Sequence, residues 1–421
     1  MGEVIRILLI YPKLKFSYKK TLGSLLHFFP PLTLEQLAGN TPSRHEVKLV
    51  DEERRGVDFN CDADLVGISC VTPQAPRAYE IADKFREKGV KVVLGGWHPS
   101  ALPEEAKQHA DAVVIGEAEE TWPKLLKDLQ ENELKPFYKN NKPVDLRKIK
   151  TPRRELTGGV NLIGAVQTSR GCPMGCEFCG VSNSIYGKVF RMRPIEDVVE
   201  ELQSIKQRQL WFYDPSLTIN PRYTKELFRR MKELNKRFIA FGNIDVLSRD
   251  DELLKLAGEA GCRMWFIGLE SLSQKVIDRL GKKSNKVENY ASAIKKIHDY
   301  GIGVIGAFIF GFDEDTPDVF NYTTEMVYEL AIDTPEFTIL TPYPGTPLFE
   351  RLEREGRILT RDWSKYTEKG NVVFQPKNMT PSQLLEGTNK AIREVSSLSG
   401  FMKRTIYDKH FFVRNITQLL R

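Results

Sequence analysis

Residues 168–180 read TSRGCPMGCEFCG and place Cys172, Cys176 and Cys179 within eight residues of one another, in the spacing C-x₃-C-x₂-C. Three thiolates on one tight loop can hold three irons of a cubane cluster and leave the fourth iron without a protein ligand. A catalytic metal site keeps such an open position, whereas a structural site closes it. We therefore predict a catalytic 4Fe–4S iron–sulfur site on these three cysteines.

Two simpler metal sites compete with this interpretation. Zinc normally takes a fourth Cys or His, and no suitably spaced partner follows. Electron-transfer clusters use four cysteines, so the single three-cysteine site argues against a non-enzymatic iron–sulfur electron-transfer protein, which stays an alternative function. The isolated Cys61, Cys70 and Cys262 lie in or beside apolar runs, and we interpret them as buried small hydrophobes.

The cysteine segment opens a series of strand and helix patterns over residues 161–348. The strand-like runs are 164–172, 208–215, 237–246, 262–270, 303–312 and 336–344. Amphipathic helical patterns separate them, as in 194–208 and 287–301. Six such units predict a partial (β/α)6 TIM-type barrel with its chemistry at the carboxyl ends of the strands.

The amino-terminal part, residues 1–130, predicts a separate α/β domain. Its strand-like runs are 4–10, 45–51, 63–70, 90–96 and 111–117, with a helical pattern at 76–89. These strands are nearly all apolar, as in a parallel sheet that is buried on both faces. We predict a doubly wound, flavodoxin-like domain that binds its ligand beyond the carboxyl ends of the strands.

Two further segments complete the predicted domain organisation. Residues 131–160 are polar, basic and without clear periodicity, which predicts a linker laid against a surface. Residues 349–421 predict a mostly helical carboxyl-terminal domain with an irregular stretch at 362–378, and we expect it to pack over the open side of the barrel.

The composition of the 421-residue chain excludes several classes of protein. Hydrophobic residues make up 41% and charged residues 28%, an ordinary globular balance. The net charge is +6, and Lys and Arg are scattered among acids, which argues against a nucleic-acid-binding surface. No run approaches the ~20 apolar residues of a transmembrane helix, and the first residues lack the pattern of a secretory signal. We predict a cytoplasmic protein; a peripheral membrane contact stays a hypothesis.

The cysteine motif, with the aromatic Phe178 just before the last cysteine, resembles that of the radical S-adenosylmethionine (SAM) superfamily. The resemblance implies that the open iron chelates the amino and carboxylate groups of SAM. One electron from an external donor, a flavodoxin or ferredoxin, then cleaves SAM to methionine and a 5′-deoxyadenosyl radical. That radical removes hydrogen from an unactivated C–H bond, while the protein positions and shields the reactants.

The same resemblance implies SAM contacts at the ends of the barrel strands. The candidates are Phe178, Asp214, Ser216, Glu270, Ser271, Gly306 and Phe308. Asp214 and Ser216 are expected at the methionyl end, and Gly306 and Phe308 beside the adenine. Glu270 and Ser271 are expected at the ribose or the methionine. Asp214 as a helix cap and Gly306 as a close-packing position are alternatives.

Residues 30–39, 95–106 and 115–126 resemble cobalamin-binding-domain radical SAM proteins, and this resemblance covers residues ~1–350. That group includes methylases of hopanoids, bacteriochlorophylls and antibiotics, and the anaerobic Mg-protoporphyrin cyclase of chlorophyll synthesis. Cobalamin is then expected across the strand ends of the first domain, facing the cluster. The candidate contacts are Ser69, Thr72, Gly95, Gly96, His98, Gly116 and Glu117.

His98 has a specific alternative, a polar loop residue that caps the next helix. Cobalamin domains that bind cobalt through histidine carry D-x-H-x-x-G, but Gly96 stands two residues before His98. The resemblance therefore favours cobalamin bound without a histidine below the cobalt. A flavodoxin-like domain that has lost its cofactor stays an alternative.

These observations together predict a cobalamin-dependent methyltransferase that acts on a small apolar molecule. They do not identify that molecule. The alternative is a radical SAM enzyme that joins, cyclises or oxidises its substrate without methyl transfer. The apolar stretch 24–32, with Trp265 and Phe266, suggests a lipid or a tetrapyrrole, although buried core explains these residues equally well. The sequence assigns no catalytic acid or base.

Overall fold

The computed structural model describes residues 3–14, 30–158, 161–282 and 284–407. Within these ranges the chain forms two six-stranded sheets, each with all of its strands parallel. The predicted patch 24–32 lies mostly outside the described residues. No helix in the described ranges is both long and apolar enough to cross a membrane.

The first sheet has the strand order β2-β1-β3-β4-β5-β6. Its strands are β1 (Arg6–Tyr11), β2 (Glu46–Asp51), β3 (Leu65–Ser69), β4 (Lys91–Gly95), β5 (Ala112–Ile115) and β6 (Phe137–Lys139). The helices around it are α1 (Leu32–Gly39), α2 (Ala75–Glu87), α3 (Trp97–Ala101), α4 (Pro103–Gln108) and α5 (Thr121–Gln130).

Both faces of this sheet are covered by apolar side chains, because successive strand residues point to opposite sides. Leu9 packs in the cluster that contains Trp122 of α5, and Ile10 in the cluster that contains Phe85 of α2. The predicted doubly wound parallel sheet is confirmed. The direction of the strand order reverses between β1 and β3. Doubly wound folds bind their ligands at such a reversal.

The segment that was predicted as a linker is more ordered than expected. Its residues 137–139 form β6 and add a sixth strand to the first sheet. Further along, the segment follows α1: the backbone N–H of Arg153 donates to the Glu35 carbonyl at 2.9 Å, and Gln36 Nε2 donates to the Lys150 carbonyl at 2.7 Å. A three-residue strand is too short to show a periodic pattern in sequence.

The first barrel strand, β7 (Ile163–Val166), ends earlier than the predicted 164–172. The chain then forms an antiparallel ribbon of β8 (Ser169–Arg170) and β9 (Arg191–Met192), with the short helix α6 (Gly180–Asn183) between them. The Thr168 backbone N–H lies 3.1 Å from both carboxylate oxygens of Asp214. Because this N–H is taken by a side chain, the parallel ladder stops and the cysteines lie on the ribbon.

The second sheet has the order β14-β13-β12-β11-β10-β7 and forms the predicted partial barrel. Its other strands are β10 (Gln209–Phe212), β11 (Arg237–Phe241), β12 (Cys262–Glu270), β13 (Gly303–Phe310) and β14 (Thr334–Ile339). The helices are α7 (Ile195–Ser204), α8 (Pro221–Met231), α9 (Ile244–Arg249), α10 (Asp251–Ala260), α11 (Gln274–Arg279), α12 (Tyr290–Asp299) and α13 (Val319–Glu329).

The carboxyl-terminal part divides between the two sheets. Its helices are α14 (Pro347–Arg354), α15 (Pro381–Ser396) and α16 (Leu398–Tyr407), and α15 packs on β14 and α13 at the edge of the barrel. The irregular stretch was expected on the barrel as well, but Trp363 and Tyr366 pack in the core of the first domain. Trp363 Nε1 donates to Glu105 at 2.9 Å, which anchors this stretch there.

Candidate active site between the two sets of strand ends

The carboxyl ends of the first sheet and those of β7 and β10 in the second line one cavity of about 590 Å³. The strand-end residues that line it are Tyr11, Ser69, Gly95, Gly96, Gly116, Glu117, Gln167, Ser169, Arg170 and Tyr213. The first six belong to the first domain and the last four to the barrel and its ribbon. A molecule in this cavity would therefore contact both domains at the ends where parallel α/β folds place their ligands.

The cavity also extends down one face of the first sheet as an apolar slot. Gly67, Val93 and Val114 from the strands form one wall, with Leu37 of α1 and Trp122 of α5 opposite. These residues give this part of the cavity an apolar lining, and Gly95, Gly96 and Gly116 bring bare backbone to it at the strand ends. The apolar lining and the glycines at the strand ends fit the cobalamin that was predicted there.

The cysteine loop is held by backbone hydrogen bonds and by one asparagine. The Cys172 N–H donates to the Gly187 carbonyl at 2.7 Å, and the Cys179 N–H donates to the Cys176 carbonyl at 3.0 Å. Asn183 Nδ2 donates to the carbonyls of Cys176 and Cys179 at 2.9 and 2.8 Å. These bonds fix the backbone of the loop, and the three cysteines form no disulfide.

Burial raises the pKa of Cys172, and raises that of Cys176 to about 11. Buried thiols of this kind deprotonate when they bind a metal cation. Within the described ranges no three Cys, His, Asp or Glu side chains converge on a single ion. A cubane does not require that, because each thiolate binds a different iron. The donor set fits a cluster.

A buried ion pair lies beside this loop. Lys282 pairs with Glu270 and donates to the Gly268 carbonyl at 2.8 Å. The Lys282 ammonium opposes, and the Glu270 carboxylate reinforces, the raised pKa of Cys176. Glu270 has a φ of +65°, a left-handed conformation that is strained for a non-glycine residue and is often found at functional sites. This places a fixed cation next to the cysteines.

Models of three families match the chain. The radical SAM superfamily model matches residues 166–327, the B12 binding domain model matches 29–126, and a domain of unknown function (DUF4070) matches 346–415. Bacteriochlorophyllide d C-12(1)-methyltransferase of Chlorobaculum tepidum is 33% identical over 416 residues, covering 94% of this chain and 88% of its own length. The chain belongs to the cobalamin-binding-domain group of the radical SAM superfamily.

Two other comparisons agree with this family. Bacteriochlorophyllide d C-8(2)-methyltransferase of the same organism is 32% identical, covering 92% of this chain and 90% of its own. The solved structure of the cobalamin-dependent SAM radical enzyme OxsB, with aqua-cobalamin and SAM bound, has a TM-score of 0.71 at 15% identity. It covers 98% of this chain and 72% of that one, and shows the shared fold.

The predicted enzyme class and cofactors are confirmed at the level of the family. This radical SAM enzyme is of the cobalamin-dependent methyltransferase family, whose cofactors are a 4Fe–4S cluster, SAM and cobalamin. The two alternatives, a radical enzyme without methyl transfer and a non-enzymatic electron-transfer protein, are not favoured. Small molecules are the substrate class that the relatives indicate.

Five of the seven residues that were predicted to contact cobalamin line the cavity of this radical SAM enzyme: Ser69, Gly95, Gly96, Gly116 and Glu117. Thr72 and His98 do not. The His98 ring is fully buried, with Nε2 3.1 Å from Glu105 and Nδ1 3.3 Å from Thr72. Among the described residues, no histidine lines the cavity.

The polar SAM candidates of the radical SAM barrel are already engaged with protein groups. Asp214 is 1% exposed and accepts from the Thr168 hydroxyl at 2.7 Å, so it joins β10 to the turn after β7. Ser216 contacts Thr218 at the start of a helical turn, and Ser271 accepts from the Ser273 N–H at 3.1 Å. These residues shape the strand ends rather than present free side chains.

Two apolar SAM candidates lie on the wrong face of β13. Phe308 is 1% exposed and packs 6.0 Å from Phe337 in the core between the sheet and its helices. A side chain at Gly306 would meet Ile332 at 3.0 Å in the same layer. The expectation that these two flank the adenine is therefore not met, because residues two apart on a strand share one face. Phe178 belongs to the cysteine loop itself, and its ring centroid is 6.4 Å from that of Phe312.

The other face of the barrel strands presents an aromatic cluster, of which the sequence analysis had named Phe266 only. Trp211, Phe241 and Phe266 are all half-buried, and their ring centroids are 4.6 to 6.4 Å apart. By contrast, Trp265 is fully buried against Phe228 and belongs to the core. Alternation of facing residues along the strands, which is invisible in all-apolar runs, separates the two sets.

Proposed function

We propose that this enzyme methylates an unactivated carbon of a tetrapyrrole-type macrocycle. The observation that carries the proposal is the aromatic cluster of Trp211, Phe241 and Phe266, whose half-buried rings are inclined to one another by 39 to 76° and offer faces and edges to an apolar aromatic substrate. Two relatives that match over nine-tenths of this chain are bacteriochlorophyllide methyltransferases, which supports the same substrate class.

The proposal assigns roles to the two domains. Residues 1–130 with the added strand β6 hold cobalamin against Ser69, Gly95 and Gly96, and residues 161–348 hold the cluster and SAM. Cys172, Cys176 and Cys179 bind the cluster in this proposal. When bound, the cofactors supply reductive cleavage of SAM and a transferable methyl group.

Lys282 is our candidate for binding the carboxylate of SAM. It is a buried cation beside Cys176, and its partner Glu270 can accept from an amino group. The sequence analysis did not single out Lys282, because it lies in GKKSNK (281–286), where three lysines look alike. In the structure Lys282 pairs with Glu270, whereas Lys286 is exposed.

The proposal includes an external one-electron donor of the flavodoxin or ferredoxin class and a cytoplasmic location. The three cysteines outside the motif are isolated from one another along the chain, with Cys70 and Cys262 buried, and we assign no second cluster to them. Electrons must then arrive from another protein. A reducing compartment suits a cluster that is held by thiolates.

The test is an anaerobic assay of the reconstituted enzyme with SAM, cobalamin, a reductant and either a bacteriochlorophyllide or a hopanoid. We expect a product one methylene heavier from the tetrapyrrole, with S-adenosylhomocysteine and 5′-deoxyadenosine released alongside it. Cys176→Ala is expected to abolish both by-products, and Trp211→Leu to raise the KM for the macrocycle more than it lowers kcat. Methylation of the hopanoid alone, or unchanged turnover in Cys176→Ala, would contradict the proposal.

A further inference from the structure

The ribbon that carries the cysteines is tied to the first domain at both of its ends. We call residues 169–192 the cysteine ribbon and residues 116–119 the β5 loop. Arg191 donates from Nη2 to Glu117 Oε1 at 2.7 Å and from Nη1 to Glu117 Oε2 at 2.8 Å. At the other end, Arg170 pairs with Glu119, and its Nη1 lies 3.5 Å from Glu117. The β5 loop therefore forms ion pairs with both strands of the cysteine ribbon.

These four side chains are buried at the boundary between the domains. They are between 10 and 17% exposed. Burying charges is costly unless they are paired and hydrogen-bonded, so such pairs are weak evidence for stability and better evidence for a fixed geometry. The Arg191–Glu117 pair is bidentate, which fixes the relative rotation of the two groups as well as their distance.

Glu117 lines the cavity, but its carboxylate is already saturated by protein donors. Oε2 also accepts the Val144 N–H at 2.9 Å, in addition to its bond from Arg191. No carboxylate oxygen of Glu117 is left as the main contact for a ligand. This revises its role from the predicted cobalamin contact to a residue that acts through the ribbon.

The other contacts between the ribbon and the first domain are mostly apolar. A Cβ at Gly180 would stand 3.2 Å from the Trp97 ring, and a Cβ at Gly116 would stand 3.8 Å from Ile185. Such contacts bring surfaces together without fixing their orientation, because apolar attraction is non-directional. The directional contacts come from the paired charges and from the Tyr186 hydroxyl, which donates to the Asn140 carbonyl at 2.6 Å.

We propose that Glu117 and Glu119 are positioning residues that fix the cysteine ribbon against the cobalamin-binding sheet, and thereby set the separation between the cluster and the cobalt. The inference rests on the proposed placement of the cluster and of cobalamin. Cys172 follows Arg170 by two residues, a distance of at most about 7 Å along the chain. A shift of the β5 loop therefore also shifts the cluster ligands, because only one residue separates Arg170 from Cys172.

The first experiment compares Glu117→Gln with Glu120→Gln in the full chain without cofactors. Glu120 is exposed and makes no side-chain capping bond, so its variant has the same change of charge one turn away from the pairs. We expect amide hydrogen exchange in residues 169–192 to rise about tenfold or more in Glu117→Gln only. Equal exchange in both variants, or a rise spread evenly over β1 to β5, would overturn the proposal.

The second experiment measures the dipolar interaction between the reduced cluster and cob(II)alamin in the loaded enzyme by pulsed electron paramagnetic resonance. The parent and Glu120→Gln are expected to give one narrow distance distribution, and Glu117→Gln a broadened one. An unchanged distribution in Glu117→Gln would refute the positioning role. If Glu117→Gln fails to fold, Arg191→Lys is used in its place, because lysine keeps the positive charge but cannot make the bidentate contact of arginine. A parent that loads no cluster or cobalamin contradicts the proposed function, while the exchange experiment still reports on the ion pairs.

Discussion

Replacing Gly171 by alanine tests whether the cysteine ribbon depends on close backbone approach. Gly171 has a φ of +85°, and a Cβ there would stand 2.2 Å from the Val189 carbonyl oxygen. A left-handed alanine costs about 1–2 kcal/mol. The collision involves backbone, so no rotamer relieves it, and the two strands of the ribbon must separate.

The size of the second effect follows from the bonds that separation breaks. The Cys172 N–H to Gly187 carbonyl bond at 2.7 Å and the β8–β9 pairing are lost, at about 1 kcal/mol for each hydrogen bond. Counting the Cys172 bond and at least one bond of the β8–β9 pairing, with the conformational cost, we expect Gly171→Ala to destabilise the ribbon by at least about 3 kcal/mol. Because the ribbon carries all three cysteines, most of the bound iron is lost with it.

Gly89→Ala is the matched control. Gly89 has a φ of +79°, but nothing lies within 4 Å of a Cβ at that position. It incurs the conformational cost of about 1–2 kcal/mol and no collision. The assays are denaturant unfolding of both variants and iron content after anaerobic reconstitution. Equal destabilisation of the two variants, or full iron loading of Gly171→Ala, would refute the reasoning.

Three further predictions concern buried polar groups. Burial raises the pKa of Asp315 to about 6, so its contribution to the free energy of unfolding is complete below about pH 4 and is lost as the pH rises through 6. Between pH 4 and pH 7, the free energy of unfolding of Asp315→Asn should therefore rise by about 3 kcal/mol relative to that of the parent. Denaturant unfolding measures this difference, and a difference that stays constant with pH would contradict the prediction. Lys282→Met leaves Glu270 buried without its partner and should lower the free energy of unfolding by about 3–5 kcal/mol. Lys286 is exposed, so the control Lys286→Met should leave the free energy of unfolding unchanged. Equal effects of the two substitutions would exclude a buried pair. His98→Gln should leave cobalamin affinity unchanged in a spectroscopic titration, because the ring faces Glu105 and not the cavity, and weakened binding would show a role that the geometry does not indicate.

The fold could be predicted from sequence because its signals are local. Each strand is a short apolar run, and amphipathic helices separate the runs at regular intervals, so both parallel sheets follow from periodicity alone. The pattern C-x₃-C-x₂-C is local as well, since three residues on one loop need no tertiary information to be recognised. The strand β6 was missed because three residues do not make a pattern.

The face of the sheet to which each strand side chain points was not predictable in the same way. A parallel strand that is covered on both sides is apolar throughout, so the sequence does not show which residues point into the barrel. Gly306 and Phe308 were selected at the end of β13 but lie in its outer layer. Phe241 lies on the inner face and had no distinguishing pattern.

The sequence by itself determined the family, the order of the two α/β domains and the loop that offers three thiolates, because each depends on residues that are close along the chain. The tertiary structure alone decided the pairs Glu117–Arg191 and Glu270–Lys282, and it decided that His98 faces away from the cavity. The partners in the first pair are separated by 74 residues. Charges so far apart meet only when two domains pack, and burial then makes them pair.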